Sequence, residues 1–154
     1  MRKRRGAGVL SAAVTLLTAG GVFAACAHVR KEMESAVPKD GGWYRLKPTE
    51  NPGAGFGLPI DPMLLTGMAL GTLPHLVGRW YRERPLSVGL LLGGGCSNLW
   101  ERLERGSVRD YLQFPRLPGA AGRAVCNLAD MAIFAGVGGL MLLGHSSTKQ
   151  QDEQ

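Results

Sequence analysis

The chain alternates long apolar blocks with short charged or glycine- and proline-rich segments. Residues 6–29 contain no formally charged residue, and basic residues flank them on both sides. Further apolar blocks follow, and all are too long for ordinary strands. A membrane-crossing helix needs about 20 apolar residues. The pattern therefore predicts a single membrane domain, 1–154, with four transmembrane helices at about 8–28, 62–78, 85–100 and 124–143.

The polar segments between these blocks predict the connecting loops. Residues 39–50 are rich in glycine, proline and charge, and residues 51–57 have the composition of an irregular loop. Trp43 and Tyr44 are expected at the level of the lipid headgroups. The predicted fold class is an all-α membrane protein, in which an extracytoplasmic loop region carries the functional site.

The charged residues add a predicted orientation of the chain in the membrane. The net charge is +6, but the basic residues lie beside apolar blocks and not on one surface interleaved with aromatic residues, so no nucleic-acid partner is expected. Arginines near the N-terminus and at 79–84 predict that these segments and both termini are cytoplasmic. The loop at 102–123 is also basic, which weakens this rule. In this orientation Glu101 and Asp130 reach the same extracytoplasmic face.

These two acids are the candidate catalytic residues. A charged residue near a hydrocarbon span costs roughly 2.5–3.5 kcal/mol on insertion scales, so its presence there indicates a functional role. A structural interpretation exists for each acid. Glu101 begins a charged run with Arg102 and Glu104 that marks a helix end, and Asp130 could partner an interfacial arginine. Two carboxylates in a poorly solvated site instead share a proton and serve as acid and base.

Three blocks of the sequence carry a family resemblance. They are Asn-Pro-Gly-Ala-Gly-Phe at 51–56, then Gly-Gly-Gly-Cys-Ser-Asn-Leu-Trp-Glu-Arg at 93–102 with Gly-Ser-Val-Arg-Asp-Tyr at 106–111, and Cys-Asn-Leu-Ala-Asp at 126–130. In this order, and with this hydropathy, they resemble the lipoprotein signal peptidases, or signal peptidase II, which are membrane aspartic peptidases with four helices.

The resemblance implies a function and a set of site residues. The function is removal of signal peptides from diacylglyceryl-modified prolipoproteins, with cleavage before the lipidated cysteine, in the bacterial inner membrane. Its expected partners are these substrates and membrane lipids, and a monomer is expected because one chain holds all the groups needed. No metal or other cofactor is implied. The implied residues are a catalytic pair, Glu101 and Asp130; substrate-binding or orienting asparagines, Asn51, Asn98 and Asn127; and structural supports, Arg102 and Asp110.

Two departures from the family pattern leave alternatives open. In this interpretation Glu101 replaces the first catalytic aspartate, so a non-catalytic relative that binds lipidated peptides or membrane partners is the alternative function. The first span also lacks the usual aspartate followed one turn later by lysine, and has Ala25, Cys26 and His28 in that neighbourhood. Residues 23–26, Phe-Ala-Ala-Cys, resemble a lipobox, which leaves acylation at Cys26 as a third hypothesis.

The cysteines predict no metal site. Cys26, Cys96 and Cys126 have neither the spacing nor the histidine partners of metal ligands. Cys96 and Cys126 are expected near the same membrane face, so a disulfide between them remains open until their geometry is known.

Overall fold

The computed structural model describes residues 2–53 and 62–148. Four long helices carry the predicted spans, and their bounds are α1 Arg2–Met33, α2 Pro62–Trp80, α3 Pro85–Arg105 and α5 Leu128–Thr148, with a short helix α4 at Ala120–Arg123. Among the described residues, Gly6–Met33 is the one helical stretch both long and apolar enough to cross a bilayer, and Leu128–Leu142 is apolar but shorter. The four crossings therefore stay a prediction.

The all-α prediction was incomplete, because the polar segments also form a sheet. The four antiparallel strands are β1 Lys39–Asp40, β2 Arg45–Asn51, β3 Val108–Gln113 and β4 Val125–Cys126, in the order β1-β2-β3-β4. β2 was interpreted as a loop because its exposed side chains are charged and it contains a proline. Pro48 is tolerated because the register shifts between Leu46 and Thr49, where the strand ladder is interrupted.

The end of α3 directs the chain into the sheet. Gly106 adopts the left-handed conformation, with φ 74°, and its N–H donates to the carbonyl of Arg102 at 2.9 Å. A residue in this conformation commonly ends a helix, and glycine is favoured there because it adopts positive φ without strain. β3 starts soon afterwards and pairs with β2, placing Asn51 opposite Val108 and Thr49 opposite Asp110. The sheet therefore lies against the end of α3 that carries the candidate residues.

Helix α3 is the centre of the helical layer and packs against both α1 and α5. A Cβ on Gly93 would lie 2.6 Å from the carbonyl oxygen of Ala19 on α1, and one on Gly94 would lie 2.5 Å from that of Ala129 on α5. These glycines therefore allow close contacts between the helices, as small residues do in membrane proteins. Because Ala129 precedes Asp130, the second contact also fixes the distance between Asp130 and α3.

Candidate active site

Asp130 is held by the start of its own helix. Asn127 immediately precedes α5, and its Oδ1 accepts a hydrogen bond from the backbone N–H of Asp130 at 2.9 Å. In return, Oδ2 of Asp130 accepts the backbone N–H of Asn127 at 3.2 Å. This reciprocal pair is a capping box, which satisfies two N–H groups at the helix start. The short sequence Asn-Leu-Ala-Asp thus begins the helix and orients the carboxyl group of Asp130.

Two asparagines connect Asp130 to a second acid. Asn98, on α3, donates its Nδ2 to Oδ1 of Asp130 at 2.8 Å. Asn127 donates one N–H of its amide to Oδ1 of Asn98 at 3.1 Å and the other to Oδ1 of Asp110 at 2.9 Å. Both N–H groups of that amide are then used. Asn127 therefore contacts Asp110 through its side chain and Asp130 through its backbone.

Asp110, predicted to be a structural support, lies inside this network. It is 3 % exposed on β3, and its Oδ2 accepts Nδ2 of Asn51 at 2.8 Å. Burial raises the pKa of Asp110 to about 6, and the nearby Asp130 carboxylate adds to this rise, whereas the bonds from Asn51 and Asn127 oppose it. Asp110 is thus a buried acid that senses Asp130 and ionises in an accessible pH range.

Glu101 points its carboxylate to other partners. It is 4 % exposed; its Oε1 accepts the backbone N–H of Arg109 at 3.1 Å, and its Oε2 lies 3.8 Å from Nη1 of Arg30 on α1. Neither contact involves Asp130. The predicted pairing of Glu101 with Asp130 remains a prediction, but the contacts of Glu101 are those of a residue that ties α1 and α3 to β3.

Arg102 connects α3 to the loop after β2. Its Nη2 donates to the carbonyl of Gly53 at 3.1 Å, and its Nη1 to that of Asn98 at 3.4 Å. Asn51 shapes the same loop, because its Oδ1 accepts the N–H of Gly53 at 3.0 Å. These contacts suit the supporting role expected for Arg102. The rest of that sequence block, 54–56, lies outside the described residues.

A small cavity of about 10 Å³, partly open to solvent, lies beside the network between α1, α3 and β3. Its lining includes Cys26, Arg30, Ser97, Glu101, Tyr111 and Asn127. The sequence interpretation treated Arg30 only as a flank of the first span and gave Tyr111 no role. Tyr111 accepts the N–H of Leu128 at 3.0 Å through its hydroxyl oxygen. The available signal was the one-turn spacing of Cys26 and Arg30, which matches that of the missing aspartate and lysine.

The structure leaves the three cysteines as free thiols, with Cys26 buried and Cys96 exposed. Within residues 2–53 and 62–148, no group of three or more histidine, cysteine or acidic side chains is arranged to hold a metal.

Comparison with known proteins then decides the family. The family model described as signal peptidase (SPase) II matches residues 9–145. The chain belongs to the signal peptidase II family. The resemblance based on three sequence blocks is thereby confirmed, and the chain is a membrane protein from a family of peptidases.

Relatives of this family align over most of their length. The lipoprotein signal peptidase of Desulfitobacterium hafniense is 35 % identical over 117 residues, covering 70 % of this chain and 73 % of the relative. That of Moorella thermoacetica is 36 % identical over 66 % of this chain and 69 % of the relative. That of Streptomyces griseus is 32 % identical over 87 % of this chain and 71 % of the relative.

Two solved structures share the fold. One, described as a bacterial membrane enzyme determined by the in meso method at 2.3 Å resolution, matches with a TM-score of 0.77 and 16 % identity, covering 91 % of this chain and 92 % of the other. A second such enzyme, at 1.9 Å resolution, matches with a TM-score of 0.69 and 16 % identity, covering 84 % and 90 %. The chain therefore shares its overall fold with these two solved structures.

Proposed function

We propose that this protein is an aspartic endopeptidase that removes signal peptides from diacylglyceryl-modified prolipoproteins, cutting before the lipidated cysteine. We also propose that Asp110 and Asp130, not Glu101 and Asp130, form its acid pair. One observation carries this choice: Asn127 bonds Asp110 through its amide and Asp130 through its backbone N–H. A single residue therefore sets the relative position of a buried acid, Asp110, and a half-buried acid, Asp130.

The geometry supports acid–base hydrolysis by this pair. Each acid accepts two N–H donors, so its orientation is fixed before substrate arrives. Two close carboxyl groups titrate as a unit and retain one proton between them over part of the pH range. The ionised member takes a proton from the attacking water, and the protonated member donates to the leaving amine. Asn51 and Asn98 orient the acids while they do so.

Glu101 has a positioning role in this proposal. Its bond to the N–H of Arg109 fixes the backbone immediately before Asp110, and its charge is balanced by Arg30. Arg109 is also held from β2, where Glu50 accepts its Nη2 at 2.6 Å. The start of β3 is therefore restrained from α3 and from β2. In this proposal the glutamate at position 101 affects where β3 lies, and the acid pair of Asp110 and Asp130 is complete without it.

The proposed placement of the site is the extracytoplasmic surface of the bacterial inner membrane, with both termini cytoplasmic and a monomer as the working unit. The sheet and the first turn of α5 lie at the same end of the helical layer. This supports the placement, because a lipidated substrate presents its cleavage site at the membrane surface. The proposal of a non-catalytic relative rested on Glu101 as a member of the acid pair and on the altered first span. The first of these reasons no longer applies when Asp110 belongs to the pair.

A processing assay tests the function. In bacteria depleted of their own signal peptidase II, the wild-type chain should mature a diacylglyceryl-modified prolipoprotein, while Asp110→Asn and Asp130→Asn should accumulate the precursor. Asp40→Asn is the matched control, because Asp40 is exposed and pairs with Arg45 at the sheet edge. If wild-type protein binds the precursor without cutting it, the non-catalytic alternative is correct.

A further inference from the structure

One end of the sheet has an excess of exposed positive charge. Four exposed cations belong to it, here called the basic rim: Lys39, Lys47, Arg116 and Arg123. The strand register brings their segments together, because Arg45 lies opposite Gln113 and Gln113 lies opposite Val125. The side chain of Gln113 also donates to the carbonyls of Gly122 and Arg123. The rim is therefore continuous across the β1–β2 turn and the segment between β3 and β4.

Exposed acids of β1, β2 and the segment after α1 are paired with other arginines. Asp40 pairs with Arg45 at 2.7 Å, Glu50 with Arg109 at 2.6 Å, and Glu34 with Arg105 at 2.6 Å. Within residues 2–53 and 62–148, none of the four rim cations has an acidic partner within ion-pair distance. The rim charge is thus available to an anionic partner.

Apolar side chains stand among these charges. Trp43 is 70 % exposed, and the guanidinium of Arg116 lies 4.5 Å from the centre of its ring. Leu117, the next residue, is 50 % exposed. An amphipathic aromatic ring beside a cation is typical of side chains at the headgroup level of a bilayer. An acidic polypeptide would use the charges of the rim but would give no reason for this exposed tryptophan and leucine.

The sheet that carries the rim is joined to the helices that are predicted to cross the membrane. β3 follows the end of α3, β4 directly precedes α5, and β1 follows the end of α1, so the sheet is connected to three helices at one end of the helical layer. We propose that the basic rim binds the anionic headgroups of phospholipids in the membrane that holds the helices. This binding accounts for the basic loop at 102–123, which the cytoplasmic preference of basic residues leaves unexplained. The inference rests on membrane insertion and not on the identity of the acid pair.

Tryptophan quenching in nanodiscs tests the proposal with the full chain. The chain has three tryptophans, so a Trp80→Phe/Trp100→Phe variant reports on Trp43 alone. Lipids brominated near the headgroup region are supplied as phosphatidylglycerol or as phosphatidylcholine at equal mole fraction. We expect at least about threefold stronger quenching by phosphatidylglycerol at low salt, and a smaller difference at about 0.3 M salt, where charge interactions are screened within several ångström.

A charge variant keeps the Arg116–Trp43 contact and removes the other rim cations: Lys39→Gln/Lys47→Gln/Arg123→Gln. It should lose most of the preference for phosphatidylglycerol. The matched control is a chain in which Trp80 is the only tryptophan, because Arg79 stacks on Trp80 at 4.8 Å; the rim substitutions should leave its quenching unchanged. Equal quenching of Trp43 by both lipids at low salt would overturn the proposal. So would a Trp43 signal that a soluble polyglutamate peptide changes while anionic lipid does not.

Discussion

The separation of roles between Glu101 and Asp110 gives the most informative experiment. Glu101→Gln keeps an oxygen that accepts the N–H of Arg109 but removes the negative charge facing Arg30. Asp110→Asn keeps the shape of the side chain and removes its ability to exchange a proton. If Asp110 belongs to the acid pair and Glu101 positions the strand, these two nearly isosteric changes must differ strongly in their effects on activity.

The structure sets the expected magnitudes. Loss of one member of an acid–base pair typically costs 10²- to 10⁴-fold in rate, so Asp110→Asn should lower kcat by about a thousandfold. Oε2 of Glu101 lies 3.8 Å from Nη1 of Arg30, and burial raises the pKa of Glu101, so its negative charge gains little from the fold. Glu101→Gln should therefore change the free energy of unfolding by less than about 1 kcal/mol. A strand shift below 1 Å should cost about tenfold in kcat.

The assay is cleavage of a fluorescent diacylglyceryl-modified peptide by purified protein in detergent, with melting temperature measured on the same samples. Glu104→Gln is the matched control, since Glu104 is exposed on the same helix, and it should change neither quantity. Glu101, and not Asp110, belongs to the acid pair if Glu101→Gln is as inactive as Asp130→Asn while Asp110→Asn stays within about tenfold of wild type.

Three further predictions concern the same network. Because Asp110 loses its proton near pH 6 and hydrolysis needs a shared proton, kcat/KM should fall as pH rises through about 6. Asn51→Ala removes a donor that favours the ionised form of Asp110, so this fall should occur at higher pH in a pH–rate profile. Asn127→Ser keeps a helix cap but removes the amide that donates to Asn98 and Asp110, so it should lower both kcat and melting temperature. Asn127→Ala also removes the cap, so it should lose about 1 kcal/mol more unfolding free energy than Asn127→Ser in a denaturation series. Gly94→Ala should lower both melting temperature and kcat because its Cβ would meet the backbone of α5 at 2.5 Å, while Gly138→Ala, with open space around it, should melt no lower than wild type; equal effects of the two would contradict the close-contact argument.

Tertiary contacts changed the assignment of roles more than the choice of residues. Asn51, Asn98, Asn127, Asp110 and Asp130 were all selected from the sequence, and the structure connects them through hydrogen bonds. The sequence could not predict which acid lies near Asp130, because the answer depends on how β3 folds back after α3. A strand of charged and polar residues shows no clear alternation in sequence when much of it is exposed, and so the sheet that directs this return was missed.

The sequence alone determined the membrane class, the helical blocks, the family resemblance and the set of polar residues. These properties follow from local composition and spacing, since apolar length fixes where helices form and the motif blocks occur in order. Only the tertiary structure decided that Asn127 lies between Asp110 and Asp130 and that Glu101 faces Arg30. The physical reason is that a carboxylate takes its role from the donors and charges around it, and here those come from α1, α3, β2 and α5, which are far apart in the chain.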